Sequence, residues 1–271
     1  MPAEHYSEQL IRKSGFADAR FPAGYDAHRP SPPQALVDLL CLEAQVARPG
    51  LVVDLGSGTG LSTRAWADRA DQVVGVEPSE QMRLRAEGAT ESSNVRYVRA
   101  FADQTGLPGA CADLVTCSQS FHWMEPGPTL AEIARILRPG GVFAAYDYDW
   151  PPVVHWEVEA AFEELLGRVG DTRKDRLGYV NLPEKEGHLE RMRASELFRF
   201  TREALVHSRE SGAADRIVGM AFSLGPLNVL LEDGMTEEEL GLARLREVAA
   251  KALGESETDW FLCYRVRLGV K

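Results

Sequence analysis

The stretch Leu51-Val52-Val53-Asp54-Leu55-Gly56-Ser57-Gly58-Thr59-Gly60 constrains the chain more than any other, because an apolar run carrying one carboxylate meets three alternate glycines. The run reads as a buried strand, and the glycines as a tight turn where the backbone can approach a ligand closely. Leu61 to Ala70 then reads as a helix whose N-terminal N–H groups face back toward that turn. The spacing differs from the G-x-G-x-x-G of a dinucleotide cradle, since Leu61 stands where the third glycine belongs. Asp54 would repel a bound pyrophosphate, so a cationic or zwitterionic ligand fits better. A second apolar run, Gln72 to Val76, ends in Glu77, 17 residues after Gly60. A carboxylate there can accept hydrogen bonds from both hydroxyls of a ribose.

Strand and helix signals alternate through the first half of the chain. Helices are expected at about 34–47, 61–70, 79–88 and 129–137, and strands at about 51–54, 73–77, 95–99, 112–117 and 142–146. Right-handed crossovers put helices on both faces of such a sheet and the ligand outside the carboxyl ends of its strands. All of the candidate residues lie at those ends.

Val53 to Gly60 and Val76-Glu77-Pro78-Ser79 resemble the first two signature motifs of class I S-adenosylmethionine-dependent methyltransferases. Asp113 to Ser118, then Gln119-Ser120-Phe121-His122-Trp123, resembles that family's fourth strand and its active-site end. Leu137-Arg138-Pro139-Gly140-Gly141-Val142 resembles the turn into the fifth. The resemblance runs from about Tyr25 to Asp149. It implies an α/β fold: a Rossmann-like seven-stranded sheet with helices on both faces, the last strand pair antiparallel, and helical lid insertions. It implies one domain, with an N-terminal cap over 1–33, a cofactor-binding core over 34–149 and lids over 150–196 and 213–254. It further implies S-adenosylmethionine as cofactor and S-adenosylhomocysteine as product. Asp54, Gly56, Ser57, Gly58 and Gly60 would lie along the methionine part, Glu77 would hold the ribose and Ala102 and Asp103 meet the adenine, with Pro78, Met82 and Ser118 also counted among the cofactor-binding residues. Tyr25 and Arg29 match a stretch in the ubiquinone-biosynthesis-like and trans-aconitate-like methyltransferases, where Tyr and Arg lie over the cofactor. Three prolines, Pro30, Pro32 and Pro33, equally make this segment a fixed start for the first helix.

His122 is the candidate general base, since it follows the fourth strand and imidazole titrates near neutral pH. Trp123, Tyr146, Tyr148 and Trp150 are expected to wall a substrate pocket, with Asp147 and Asp149 between them suiting a cationic or hydroxylated substrate. The plain alternative is a strand end with faces alternately in and out. The second half supplies two more alternating stretches, Phe198 to Ser208 and Trp260 to Val270, as the last strands. Between them Thr236-Glu237-Glu238-Glu239 reads as a helix N-cap with a capping-box glutamate.

Composition limits the partners. With 30 basic and 41 acidic side chains the net charge is −11, which repels polyanions, and no nucleic-acid partner is expected. No membrane span and no signal peptide is legible, and a cytoplasmic protein, monomeric or homodimeric, is expected. The four cysteines show no C-x-x-C pair, so no metal site is expected. The chemistry implied is methyl transfer to an oxygen, nitrogen or carbon nucleophile of a small molecule. A catalytically idle cofactor-binding partner protein is the rival, and it predicts binding without turnover.

Overall fold

The computed structural model describes residues 26–177 and 184–271. Tyr25 and most of the expected N-terminal cap lie outside the described residues. By compactness the chain forms two units. The larger takes in 31–148, 184–206 and 264–271, and the smaller 26–30, 149–177 and 207–263.

Among the described residues seven strands form one sheet: β1 (Leu51–Leu55), β2 (Gln72–Val76), β3 (Val95–Val98), β4 (Ala112–Ser118), β5 (Leu137–Tyr148), β6 (Phe200–Gly212) and β7 (Thr258–Val270). Their order is β3-β2-β1-β4-β5-β7-β6. The first five pair in parallel, with Val53 opposite both Val74 and Val115. β7 pairs antiparallel with β5, setting Tyr148 opposite Tyr264. The sheet is therefore the expected Rossmann-like one with its antiparallel edge. Continuous apolar runs account for the interior strands, because helices cover both of their faces and leave no solvent side to alternate toward. Val52, Val53, Leu55, Val73 and Val76 are all fully buried.

In the larger unit α1 (Gln34–Glu43) begins at Pro33 and buries Leu36, Val37, Leu40 and Cys41 along one stripe. α2 (Leu61–Arg64) follows the glycine turn, and α3 (Glu80–Gly88) is capped by Ser79. α4 (Pro126–Ile136) has proline in its first turn. The order of strands reverses between β1 and β4, which opens the ligand crevice of a doubly wound sheet at their carboxyl ends.

The smaller unit is mostly helical. α5 (Trp156–Leu177) packs with α8 (Gly225–Glu232) and α9 (Leu242–Ala252), and α7 (Ala214–Phe222) packs with α9. The insertion expected over 213–254 begins with two apolar helices, α7 and α8, bent by 73°. No single helix among the described residues is long and apolar enough to cross a membrane, although this bent pair is apolar enough in composition. The capping box is present, Thr236 accepting from the Glu239 N–H at 3.2 Å and Glu239 from the Thr236 N–H at 2.8 Å. The regular helix starts later, after Gly241, whose left-handed φ of +83° interrupts the turn. The stretch expected as one insertion over 150–196 is divided: 149–177 belongs to the smaller unit. Its later part, a 3₁₀ turn at Lys185–Gly187 and α6 (His188–Ala194), belongs with the sheet.

Candidate active site

The glycine turn is fixed from both sides. Gly56, Gly58 and Gly60 all have left-handed φ, from +56° to +81°. The N–H groups of Gly56 and Ser57 both donate to the Val76 carbonyl, at 2.9 and 3.1 Å, tying the turn to the end of β2. A Cβ on Gly56 would lie 2.7 Å from the Cβ of Ser120, so only glycine lets the turn approach the segment after β4. Gly58 differs, because a Cβ there would meet nothing within 4 Å. The turn is open at that point.

Glu77 sits at the mouth of this turn. Its Oε2 accepts from the Gly58 N–H at 2.9 Å and its Oε1 from the Ser79 N–H at 2.8 Å. Each oxygen keeps a second lone pair, so a carboxylate held in this way can still accept two hydroxyls. Burial pushes its pKa up to about 7 against the pull of the Ser79 and Gly58 N–H groups, and the Asp54 charge adds to the rise.

Asp54 departs from expectation. It is fully buried, its Oδ2 accepting from Ser62 and Thr63 at 2.6 and 2.7 Å and its Oδ1 from Thr116 at 2.8 Å. Three hydroxyls hold the carboxylate and tie α2 to β1 and β4, and its complete burial leaves it no surface for a ligand. Ser57 is likewise turned inward, its Oγ 2.8 Å from where a Cβ on Gly75 would lie. Met82 is buried in α3 with its N–H on the Ser79 hydroxyl, while Pro78 beside Glu77 is half-buried. Ala102 is buried and Asp103 half-exposed in the turn after β3. Arg29 is engaged within the smaller unit, donating to the Ser223 hydroxyl and carbonyl at 2.7 and 3.0 Å and lying 4.7 Å over the Trp150 ring.

After β4 the half-buried Ser118 leads to Gln119, whose φ of +53° is left-handed for a non-glycine residue. Ser120 then donates to the Leu55 carbonyl at 2.7 Å. Phe121 anchors the following turn in the core against Phe143 and His188, with centroids 5.4 and 4.8 Å away. That anchor leaves His122 and Trp123 half-buried, their rings 5.3 Å apart. His122 Nδ1 is 3.8 Å from Asp147 Oδ1.

Asp147 is a hub that the sequence reading left as one of two pocket acids. Lys185 reaches its Oδ1 at 3.0 Å and Arg267 its Oδ2 at 3.2 Å, and Arg267 continues to Glu203 at 2.9 Å. Its charge is thus spent on two cations, which corrects the expectation that it suits a cationic substrate. Tyr146 and Tyr148 are also corrected. They are 1% and 4% exposed, part of the core, because β7 on one side and β4 on the other make β5 an interior strand. Tyr148 packs edge-on against Tyr264, and Trp150 stacks on Phe162 inside the smaller unit. Lys185, Gln119, Glu203 and Arg267 were not read as site residues. Only Arg267 left a trace, as a charge at an otherwise apolar strand position, where burial requires a partner.

Residues 53–145 match the family model described as a methyltransferase domain. Uncharacterized methyltransferases of Mycobacterium tuberculosis and Mycobacterium bovis are 35% identical over 160 residues, covering 59% of this chain and 61% of theirs. The chain thus spans about three fifths of the length of these curated relatives. An Anaeromyxobacter dehalogenans protein assigned as a type II methyltransferase superposes with a TM-score of 0.64 at 24% identity, over 89% of this chain and 97% of that one. An N-methyltransferase of Haemonchus contortus, in complex with phosphomonomethylethanolamine and S-adenosylhomocysteine, gives 0.57 at 15% identity over 98% and 60%. These two likenesses show the fold. The stretch 53–145 and the turn it contains are thus similar to methyltransferase domains.

Proposed function

We propose that this protein transfers a methyl group from S-adenosylmethionine to a nucleophilic atom of a small metabolite or natural product. The observation that carries this reading is the Glu77 carboxylate, fixed by Gly58 and Ser79 N–H groups beside a turn that is open over Gly58. A ribose needs a rigid acceptor pair, and the methionine part needs a backbone free of side chains; the residues present fit both.

When bound, the cofactor supplies a methyl group already activated on a sulfonium. The chain's own part is to hold and align. Glu77 accepts the ribose hydroxyls, Gly56 to Gly60 leave room for the methionine part, and Ala102 and Asp103 bracket the adenine. Asp54 acts one step back, by holding the turn. His122 takes the proton that the acceptor gives up.

Calorimetric titration with S-adenosylhomocysteine, with NAD in parallel, tests the reading. Micromolar binding of the first alone is the expected result; binding of NAD alone, or of neither, overturns it. Turnover of labelled methyl donor on a metabolite panel then separates an enzyme from an idle binder.

The raised Glu77 pKa adds a pH signature. The ionised form accepts the ribose hydroxyls, so affinity is expected to be full above about pH 7 and to fall by roughly tenfold per unit below it, with proton release on binding. Stability without ligand runs the opposite way. The folded pKa exceeds the reference of 4.5, so this group's contribution is fully present below about 4.5 and is lost as pH rises through about 7. Glu77→Gln should flatten both profiles, and an affinity that stays level from pH 5.5 to 8 in the unsubstituted protein would remove Glu77 from the ribose.

A further inference from the structure

The carboxyl ends of β4 and β5 carry a charged corner that cofactor binding does not use. Gln119, in its left-handed conformation, donates its backbone N–H to the Tyr146 carbonyl at 2.9 Å and its side-chain amide to the Tyr148 carbonyl at 3.4 Å. That clamp turns Oε1 toward Lys185, whose ammonium donates to it at 2.7 Å. A backbone conformation costly for a side-chain-bearing residue persists where surrounding bonds determine it, and such residues gather at functional sites. Lys185 is also ion-paired with Asp147 Oδ1 at 3.0 Å, outside hydrogen-bonding geometry. An ammonium has three donors. Only the one given to Gln119 has a hydrogen-bond partner among the described residues, and the side chain is 30% exposed.

The charges around this corner lean positive. Asp147 is shared between Lys185 and Arg267, and Glu203, which answers Arg267, is also approached by Arg265 at 3.9 Å. His188 registers the same field. Burial lowers its pKa to about 3, and Arg191, Arg267 and Lys185 lower it further against Glu186 alone. Arginine only donates, so the His188 Nδ1 facing Arg191 at 3.0 Å is an acceptor and the ring proton is on Nε2. His122 and Lys185 meet at one carboxylate oxygen, Asp147 Oδ1, which makes them neighbours. The same segment abuts the glycine turn through Ser120 and Gly56.

Resting on the methyl-transfer reading above, we propose that the acceptor is an oxygen acid, either a carboxylate or a phenol or enol that has given its proton to His122, whose anionic oxygen takes a free N–H of Lys185. An ammonium acceptor would face Lys185 with the nearest carboxylate already shared between two cations. A neutral acceptor would forgo the charge-assisted bond on offer. Lys185 and Gln119 are then specificity-determining residues.

The test is ligand-observed NMR on the protein saturated with S-adenosylhomocysteine. The probes are aryl and alkyl carboxylates and phenols, each carboxylate compared with its primary amide and each acid with the amine on the same carbon skeleton. The bound acids are expected to exceed their amides and amines in affinity by about tenfold or more. Lys185→Met should erase that preference while S-adenosylhomocysteine affinity stays within about twofold, and Lys185→Arg should restore it. The assignment falls if no acid binds, if amides or amines bind as tightly, or if Lys185→Met keeps the preference. Failure of S-adenosylhomocysteine itself to bind would instead sink the methyl-transfer reading.

Discussion

Asp54→Ala is expected to lower the unfolding free energy by about 3–5 kcal/mol, seen as a lower denaturant midpoint at unchanged slope. The substitution strands three hydroxyls, on Ser62, Thr63 and Thr116, in places with little or no water. Part of the loss is offset, because burial raises the pKa of this carboxyl and marks its charge as costly to hold. Asp54→Asn keeps the shape and one acceptor and lets the hydroxyls rotate to receive its amide, so it should cost less than about 2 kcal/mol. The sequence suggested a carboxylate facing the ligand. A variant with unchanged stability and a selective loss of S-adenosylhomocysteine affinity would restore that role.

His122→Ala should reduce turnover at saturating acceptor and cofactor by about 10²-fold or more. The 3.8 Å separation between Nδ1 and Asp147 is too long for a hydrogen bond. A small rotation closes it, which would fix the proton on Nδ1 and leave Nε2 to accept one from the acceptor. Asp147→Asn is then expected to lower kcat more than it raises KM and to move the acid limb of the pH profile. If His122→Ala changes only the affinity for acceptor, the imidazole is a wall of the pocket and the proton leaves by another route.

The backbone frame of the proposed cofactor site was legible because its geometry demands particular residues: glycine at three left-handed positions and an acid at the end of β2. Asp54 was legible as a residue but not in its direction. β1 is covered on both faces, so its sequence has no alternation from which to read where a side chain points. Tyr146 and Tyr148 misled for a related reason, since the insertion of β7 between β5 and β6 is a fact of topology that strand order in the chain conceals. Lys185 gave no signal at all. A lysine among Glu184, Glu186 and Glu190 reads as solvated surface, and only folding sets it over Gln119 and Asp147. By contrast, Gly225-Pro226 inside the stretch from Ile217 to Leu231 does mark the bend between α7 and α8, a break that reading the stretch for its apolar character alone passed over.

The place of β7 has a bearing on synthesis. Asp147 waits for Arg267, which is 120 residues further along the chain. At roughly 5–20 residues per second the ribosome takes on the order of ten seconds to bridge that gap. Through that interval β5 has an open edge and its aspartate lacks one of its two cations, so the nascent chain displays the parallel half of the sheet with a ready template for foreign strands. The proposed acceptor corner is therefore completed late, and a ribosome stalled before residue 264 would carry the glycine turn with Arg267 not yet in place.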